Sequence, residues 1–417
     1  MAACGPFEPF PHVAVAVSGG ADSLALLLLM HRWTRALGGK VRALTVDHGL
    51  RAESAAEAQQ VALWATAAGI DHHILRWLGE KSGAGLQAAA RQARYDLMTA
   101  WCRDAGVLHL ATAHSLDDQR ETVAMRQARG GPSQMGLAGM SLISTRSGVR
   151  LLRPLLPVPG ALLRHHLTVL GQAWIEDPSN RLTRFERIRW REGREGALPQ
   201  TADIRHWGEQ RVADERAIAD LFIRSVDIHA AGHVCVDLDP WKAVPDRWRI
   251  PALGQLIRLV AGADYQPAHG ALARVAAGWL EAPRVTSLGG ALIGHWRGRG
   301  LICREAAGVR EKLTTSGLWD GRFAVDLAPN MTVGALGEPG VAEIGQSGHS
   351  QHWNRDIPPL ARAALPAVRD ATGRLMLVPY LGFDPYGRGS DTHFRFLPHN
   401  SATSSGFTVA YGWQHTI

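Results

Sequence analysis

Six consecutive residues, Ser18-Gly19-Gly20-Ala21-Asp22-Ser23, combine bare backbone, two hydroxyls and a carboxylate. Glycines at 19 and 20 leave no side chain to hold an anion off the main chain. If a helix starts here, its first-turn N–H groups have no partner inside it, and its dipole favours negative charge. Ser18 and Ser23 add hydroxyl donors, and Asp22 can hold a magnesium ion that bridges phosphate oxygens. Two other groups carry chemistry. One is Asp47-His48. The other runs from His114 through Asp117, Asp118 and Glu121. Asp118 and Glu121 are three apart and Asp117 and Glu121 four apart, so one helix face can carry two carboxylates. That face suits a magnesium ion or a substrate ammonium group; acidic residues also favour a helix's first turn through the dipole alone. Asp47 equally suits a helix cap, and His114 a loop histidine satisfied by its neighbours.

The elements that must position these residues follow from the apolar pattern. Val13–Val17 is a five-residue apolar run, the mark of a buried parallel strand. The leucine-rich segment after Asp22 continues with good helix formers to about Leu37 and stops at Gly38-Gly39. The unit is therefore strand, glycine turn, helix. Val41–Val46 predicts a second strand ending at Asp47, and Glu53–Ala68 a helix. Ile70–Trp77 predicts a third strand, and Leu86–Ala105 a long helix carrying Arg91, Arg94 and Tyr95. Val107–Thr112 predicts a fourth strand that ends at His114, with a helix through Asp117 and Glu121 behind it. Alternation of this kind means an open parallel α/β sheet, in which ligands sit beyond the carboxyl ends of the strands. Three of the four strands deliver polar groups to that one edge.

The chain has 417 residues, which suggests two to four domains and ample core. Its formal net charge of +7 points to an anionic partner, with nucleic acid ahead of membrane because no basic amphipathic helix stands out. Cys4, Cys102, Cys235 and Cys303 lie far apart, so free thiols in a reducing cytoplasm are expected. Met1–Pro11 lacks the basic and apolar regions of a signal peptide. The loop has no Gly-Lys-Ser/Thr and no GxGxxG, which weakens kinase and dinucleotide readings.

SGGADS directly after an apolar strand resembles the pyrophosphate-binding loop of the N-type ATP pyrophosphatases, which cut ATP between the α and β phosphates and activate a substrate oxygen as an adenylate. Further segments narrow the match: DHGLR (47–51), GLQAAARQARY (85–95), AHSLDDQRET (113–122), GLAGM (136–140), RPLLP (153–157), DPSN (177–180) and RFERIRWR (184–191). In this order they resemble the bacterial tRNA(Ile)-lysidine synthetases over about the first half of the chain. The resemblance implies a two-step ligation. ATP adenylates the C2 oxygen of the wobble cytidine in an isoleucine tRNA with anticodon CAU. The amine of free L-lysine then displaces AMP, and the codon read changes from AUG to AUA. It further implies that Ser18, Gly19, Gly20, Ala21, Asp22 and Ser23 hold ATP, with Asp47, His48 and His114 nearby and Mg²⁺ on Asp22. Asp117, Asp118 and Glu121 become candidates for lysine or metal contacts. Arg91 and Arg94 would lie near nucleotide or RNA phosphate, and Asp177, Asn180, Arg187 and Arg189 would place the cytidine. Phe185 and Trp190 among the arginines of 180–194 suit base stacking with phosphate contact. One departure stands in Arg129–Met135, which is a residue longer than the family's glycine segment and carries Pro132; its glycines suit a mobile lid.

The expected division is a catalytic domain at 1–195, a mostly helical middle domain with short strands at 200–312, which loosely resembles the family's and either braces tRNA or is purely structural, and a small β-rich domain at 317–417, rich in glycine and proline, as a candidate for further tRNA contact. Helices are expected at Ala202–Arg224, Ile250–Val260 and Ala268–Leu280. In the last domain strands are expected at Phe323–Leu327, Arg374–Pro379 and Phe407–Tyr411, with Asp384–Ile417 partly disordered. Monomer and homodimer both stay open. The alternatives are a tRNA 2-thiolation enzyme, which needs paired cysteines this chain lacks, an amide-forming ligase of the same superfamily, and a non-catalytic RNA-binding protein that senses ATP.

Overall fold

The computed structural model describes residues 1–49, 53–78, 86–128, 134–176, 190, 197–263, 265–347, 354–387, 389, 391–398 and 406–410. The chain forms two units, Met1–Ala213 with Ser405–Ile417, and Asp214–Ser404.

The first unit is built on strand β1 (His12–Ala16), helix α1 (Ala21–Ala36), β2 (Lys40–Asp47), α2 (Ser54–Ala67) and β3 (Asp71–Arg76). It continues with α3 (Leu86–Asp104), β4 (His109–Ala111), α4 (Leu116–Ala128) and the short α5 (Gln134–Leu137). A hairpin, β5 (Ile143–Arg146) and β6 (Val149–Leu152), leads into α6 (Gly160–Val169). The sheet order is β3-β2-β1-β4-β6-β5. All neighbours pair in parallel except β5, which pairs antiparallel with β6 at one edge.

Alternation along β1 feeds two cores. Val13 and Val15 pack with Leu24 and Leu27 of α1, Val61 of α2, and Leu163 and Leu167 of α6. Ala14 faces the other way, with Leu44, Tyr95, Met98, Cys102 and Leu110. Successive strand residues point to opposite faces, so helices cover both sides of the sheet. This explains the unbroken apolar run that the sequence shows at 13–17. The strands expected at Val13–Val17, Val41–Val46 and Ile70–Trp77 are present with shifts of a residue or so. The hairpin at 143–152 and helix α6 were not anticipated. The turn between β5 and β6 puts Ser147 at φ 49° and Gly148 at φ 78°, the double positive-φ geometry that joins two tightly paired strands.

The strand order reverses beside β1. From β1 the chain moves outward through β2 and β3, then returns to place β4 on β1's other side. Such a switch point leaves a crevice beyond the carboxyl ends of the two central strands.

The second unit holds the antiparallel sheet Val226–Ile228, Val234–Val236, Arg299–Arg304, Ala291–Trp296, Thr286–Leu288. Helices Asp246–Ala261 and His269–Glu281 accompany it, as expected. Two three-stranded sheets follow, one of Gly317–Trp319, Phe323–Asp326 and His393–Phe396, the other of Thr332–Ala335, Pro366–Arg369 and Leu375–Leu377. Buried Asp320 joins Arg304 at 2.9 Å to Arg322 at 2.7 Å. That network ties together segments from either side of 312/317.

His393–Phe396 is a strand paired with Phe323–Asp326. One correction concerns the chain's end. Residues 406–410 are not a strand of the β-rich part. Phe407 and Val409 are buried with Ala138, Trp207 and Val212 of the first unit. All four cysteines are buried free thiols. Among the described residues no helix is long and apolar enough to cross a membrane.

Candidate active site

The turn after β1 is shaped by two hydroxyls and one glycine. Ser23 Oγ donates to Gly20 O at 2.8 Å and receives Ser18 N–H at 3.2 Å. Gly19 has φ 86°, and a Cβ there would stand 2.7 Å from Ile175 Cδ1 and 3.1 Å from Val61 Cγ2. Only glycine meets both demands. Its carbonyl accepts Ile175 N–H at 2.9 Å. Gly20 precedes α1 with ordinary extended angles and no side-chain cap. A Cβ on Gly20 would meet only Ser18 Oγ, at 3.6 Å, so its bareness is not demanded by packing. Behind the turn, Thr45 Oγ1 donates to Val17 O at 2.8 Å, and His72 Nε2 lies 2.8 Å from that hydroxyl. These contacts hold the strand end that aims the turn.

Three helices begin at one place because β1, β4 and β6 are neighbours. Asp22 is the second residue of α1, Asp117 and Asp118 are the second and third of α4, and Gly160 is the first of α6. Gly160 N–H donates to Asp117 Oδ2 at 3.1 Å. A Cβ on Gly160 would lie 2.9 Å from Asp117 Oδ2, 3.4 Å from Arg164 Nη1 and 3.6 Å from Asp22 Oδ1. Asp118 Oδ2 accepts Ser115 N–H at 2.9 Å, at the entry to α4. Asp22 is held above its ordinary carboxylate range, chiefly by burial and then by the charge of Asp118, with Arg164 acting in the opposite sense. Its Oδ1 is buried with no hydrogen-bond partner.

An orphaned, buried carboxylate oxygen crowded by like charge is a place for a cation. The donors are hard oxygens, which suit Mg²⁺. Among the described residues no group of three His, Cys, Asp or Glu is arranged to hold a metal. The site therefore fits an ion that takes its remaining ligands from phosphate and water, as Mg²⁺ commonly does.

Other expected residues are placed differently. Glu121 lies on α4 but is only 1% exposed, so it faces packed protein rather than open solvent. Asp47 Oδ1 accepts Ser54 hydroxyl at 2.7 Å and Gly49 N–H at 2.9 Å, bracing the entry to α2. His48 Nε2 accepts from Arg94 at 3.2 Å, which leaves its proton on Nδ1. Burial and Arg94 push His48 down to about 4. Arg91 stacks on Tyr95, its guanidinium 5.4 Å from the ring centre. His114 Nδ1 lies 3.1 Å from Thr112 Oγ1. Asp177, Asn180, Arg187 and Arg189 lie outside the described residues, as do Phe185 and 129–133 of the expected lid. Trp190 is described, and is buried at 9%.

Several side chains escaped sequence reasoning. Gln119 grips Met140 through both backbone groups, at 2.9 and 2.7 Å. Gly139, at φ 73°, would place a Cβ 2.7 Å from Gln119, which gives the GLAGM segment a physical cause. Arg126 donates to Gly136 O and Gly139 O, and Arg153 of RPLLP donates to Ser141 O at 2.8 Å. Gly160 and Arg164 carried one available signal, the Pro159-Gly160 pair, since proline commonly marks a helix start.

The PP-loop domain family matches residues 4–193. A tRNA(Ile)-lysidine synthase from Ruegeria pomeroyi is 37% identical over 325 residues, spanning 76% of this chain and 77% of that protein. One of the same name from Brucella ovis is 35% identical over 423 residues, spanning 94% and 93%. Another, from Bradyrhizobium diazoefficiens, is 44% identical over 229 residues, spanning 54% and 60%. Among solved structures, the U34-tRNA thiolase NcsA from Methanococcus maripaludis aligns with TM-score 0.40 and 16% identity over 49% of this chain and 74% of that one. That likeness is too slight to bear on the argument.

Proposed function

The chain belongs to the tRNA(Ile)-lysidine synthases, and from that premise we propose how its residues carry the family's reaction. The enzyme is a ligase that uses ATP to form lysidine at the wobble position of tRNA(Ile). In our reading the substrate tRNA carries a CAU anticodon, the second substrate is free L-lysine, and the setting is the cytoplasm.

The turn Ser18–Ser23 receives the ATP phosphates on the amides of Gly20 and the first turn of α1. The wobble cytidine's C2 oxygen attacks the α phosphorus, and pyrophosphate leaves. The lysine amine then attacks C2, and AMP leaves with the oxygen. No protein nucleophile is required, and the four cysteines are buried. Catalysis of this kind is positioning and charge stabilisation. Asp22 would hold a Mg²⁺ ion, which would neutralise charge on the triphosphate. Asp117 and Asp118 are the carboxylates we assign to the lysine ammonium or the metal. For Glu121 burial favours bracing α4 over touching substrate. Asp47 and Arg94 then shape the nucleotide pocket through Ser54 and His48. Asp177, Asn180, Arg187 and Arg189 keep their proposed role in placing the cytidine, and the second unit that of bracing tRNA.

The observation that carries this reading is the meeting of Asp22, Asp117 and Gly160 at the switch point beside the bare turn. The thiolation reading lacks cysteine pairs, since Cys4, Cys102, Cys235 and Cys303 are all separate. The test is mass analysis of the CAU-anticodon isoleucine tRNA after incubation with ATP and lysine. Addition of one lysine to the wobble cytidine is expected. Pyrophosphate release without that mass change would overturn the proposed chemistry.

A further inference from the structure

We propose that Arg164 is a substrate-contacting residue of the adenylation site, the fixed cation that meets the pyrophosphate end of ATP. The inference rests on the adenylation reading above. Arg164 is the fifth residue of α6, one turn after Gly160, and its side chain lies back over the helix's own N-terminus. A guanidinium there opposes the helix dipole unless negative charge is close by. The nearby charges are Asp117 and Asp22, since Nη1 of Arg164 and both carboxylates surround the point where a Gly160 side chain would start. Gly160 matters because it has no side chain to fill that point.

Arg164 is nevertheless not consumed by these carboxylates. Among the described residues it makes no ion pair within 4.0 Å, and its side chain remains exposed. It acts on Asp22 through space while its donors stay available. A triphosphate approaching the turn meets Asp22, Asp117 and Asp118 together, and like charges repel. A planar guanidinium with several fixed donors is the side chain best suited to bind phosphate oxygens against that repulsion. Of the two products, pyrophosphate carries the greater charge, so Arg164 should discriminate it from AMP.

The experiment measures binding of inorganic pyrophosphate and of AMP to the full chain by calorimetry, and as inhibitors against ATP. Arg164→Ala, Arg164→Lys and Arg164→Gln are compared with wild type. In Arg164→Ala and Arg164→Gln, pyrophosphate affinity and kcat/KM for ATP should fall by about tenfold to a hundredfold. AMP affinity and the KM for lysine should hold, and Arg164→Lys should recover part of the loss. Unchanged pyrophosphate affinity overturns the proposal. So does a parallel loss of AMP and pyrophosphate, which marks a merely structural role. Lysidine formation by wild type is scored in the same preparation. Its absence overturns the adenylation reading itself, and is thereby told apart from a failure confined to Arg164.

Discussion

Alanine placed separately at Gly19 and at Gly20 should divide architecture from function. At Gly19 the backbone sits at φ 86°, which costs an L-residue about 1–2 kcal/mol. The new methyl would also stand 2.7 Å from Ile175 Cδ1, and forcing an extra carbon into packed surroundings costs about 1–3 kcal/mol more. A combined loss of about 2–5 kcal/mol lowers the melting temperature of a domain this size by roughly 4–20 °C. At Gly20 the angles are φ −70° and ψ 158°, and the methyl meets only Ser18 Oγ at 3.6 Å. The structural cost is then that of a poorer N-cap, about 1 kcal/mol or less. That methyl projects where the phosphate is proposed to approach. Gly20→Ala should therefore melt within about 4 °C of wild type, yet lose at least about tenfold in kcat/KM for ATP, the equivalent of one hydrogen bond. Scanning calorimetry and pyrophosphate release read the two quantities. Full activity in Gly20→Ala would refute the bare-amide grip. An unchanged melting temperature in Gly19→Ala would refute the backbone argument.

Three more outcomes are expected. Asp22→Asn should abolish pyrophosphate release while raising stability at neutral pH. Burial and Asp118 hold the native carboxyl above its ordinary 3.8, so wild type is penalised wherever Asp22 is charged, and the variant's advantage should vanish as pH falls below that value; an advantage independent of pH, read from denaturant midpoints, would contradict this. His48 is held down to about 4 from 6.5, so an unfolded chain takes up its proton first and stability is lost as pH falls from 6.5 towards 4. His48→Gln should lose less stability across that window, and identical urea midpoints against pH in both proteins would exclude His48 as a source. Phe407→Ala removes a ring that is 7% exposed, with Arg211 set 4.4 Å from its centre, and should cost up to about 3 kcal/mol. Because Leu142 N–H donates to Thr408 O at 2.9 Å, the Leu142 amide should exchange faster in that variant, and unaltered protection would show that the terminal segment is not anchored by Phe407.

The legible part of the fold was local. Val13–Val17 and Leu24–Met30 read as strand and helix because an apolar run of five and a leucine-rich run of seven admit few other structures. Helices at 250–260 and 268–280 were legible too. The hairpin Ile143–Leu152 was missed although Ser147-Gly148 marks its turn, because its strands are four residues each. Phe407–Tyr411 read as a strand because its residues favour one. In the structure Phe407–Ala410 satisfies that apolar pattern by packing on the first unit instead.

The chemistry of the turn belongs to the sequence alone. Ser18–Ser23 sits between a strand and a helix by local pattern, and Ser23 shapes it through Ser18 and Gly20, whereas Gly19 is confined by Val61 and Ile175 from far along the chain. What the sequence could not reveal is which loops meet. The order β3-β2-β1-β4-β6-β5 is set by how two apolar cores are shared across a sheet, a property of distant packing. That order brought Asp117 to Asp22 across 95 positions of chain, and brought α6, with Gly160 and Arg164, to both. It buried Glu121 and set His48 against Arg94, because a side chain's exposure depends on what the rest of the chain lays over it.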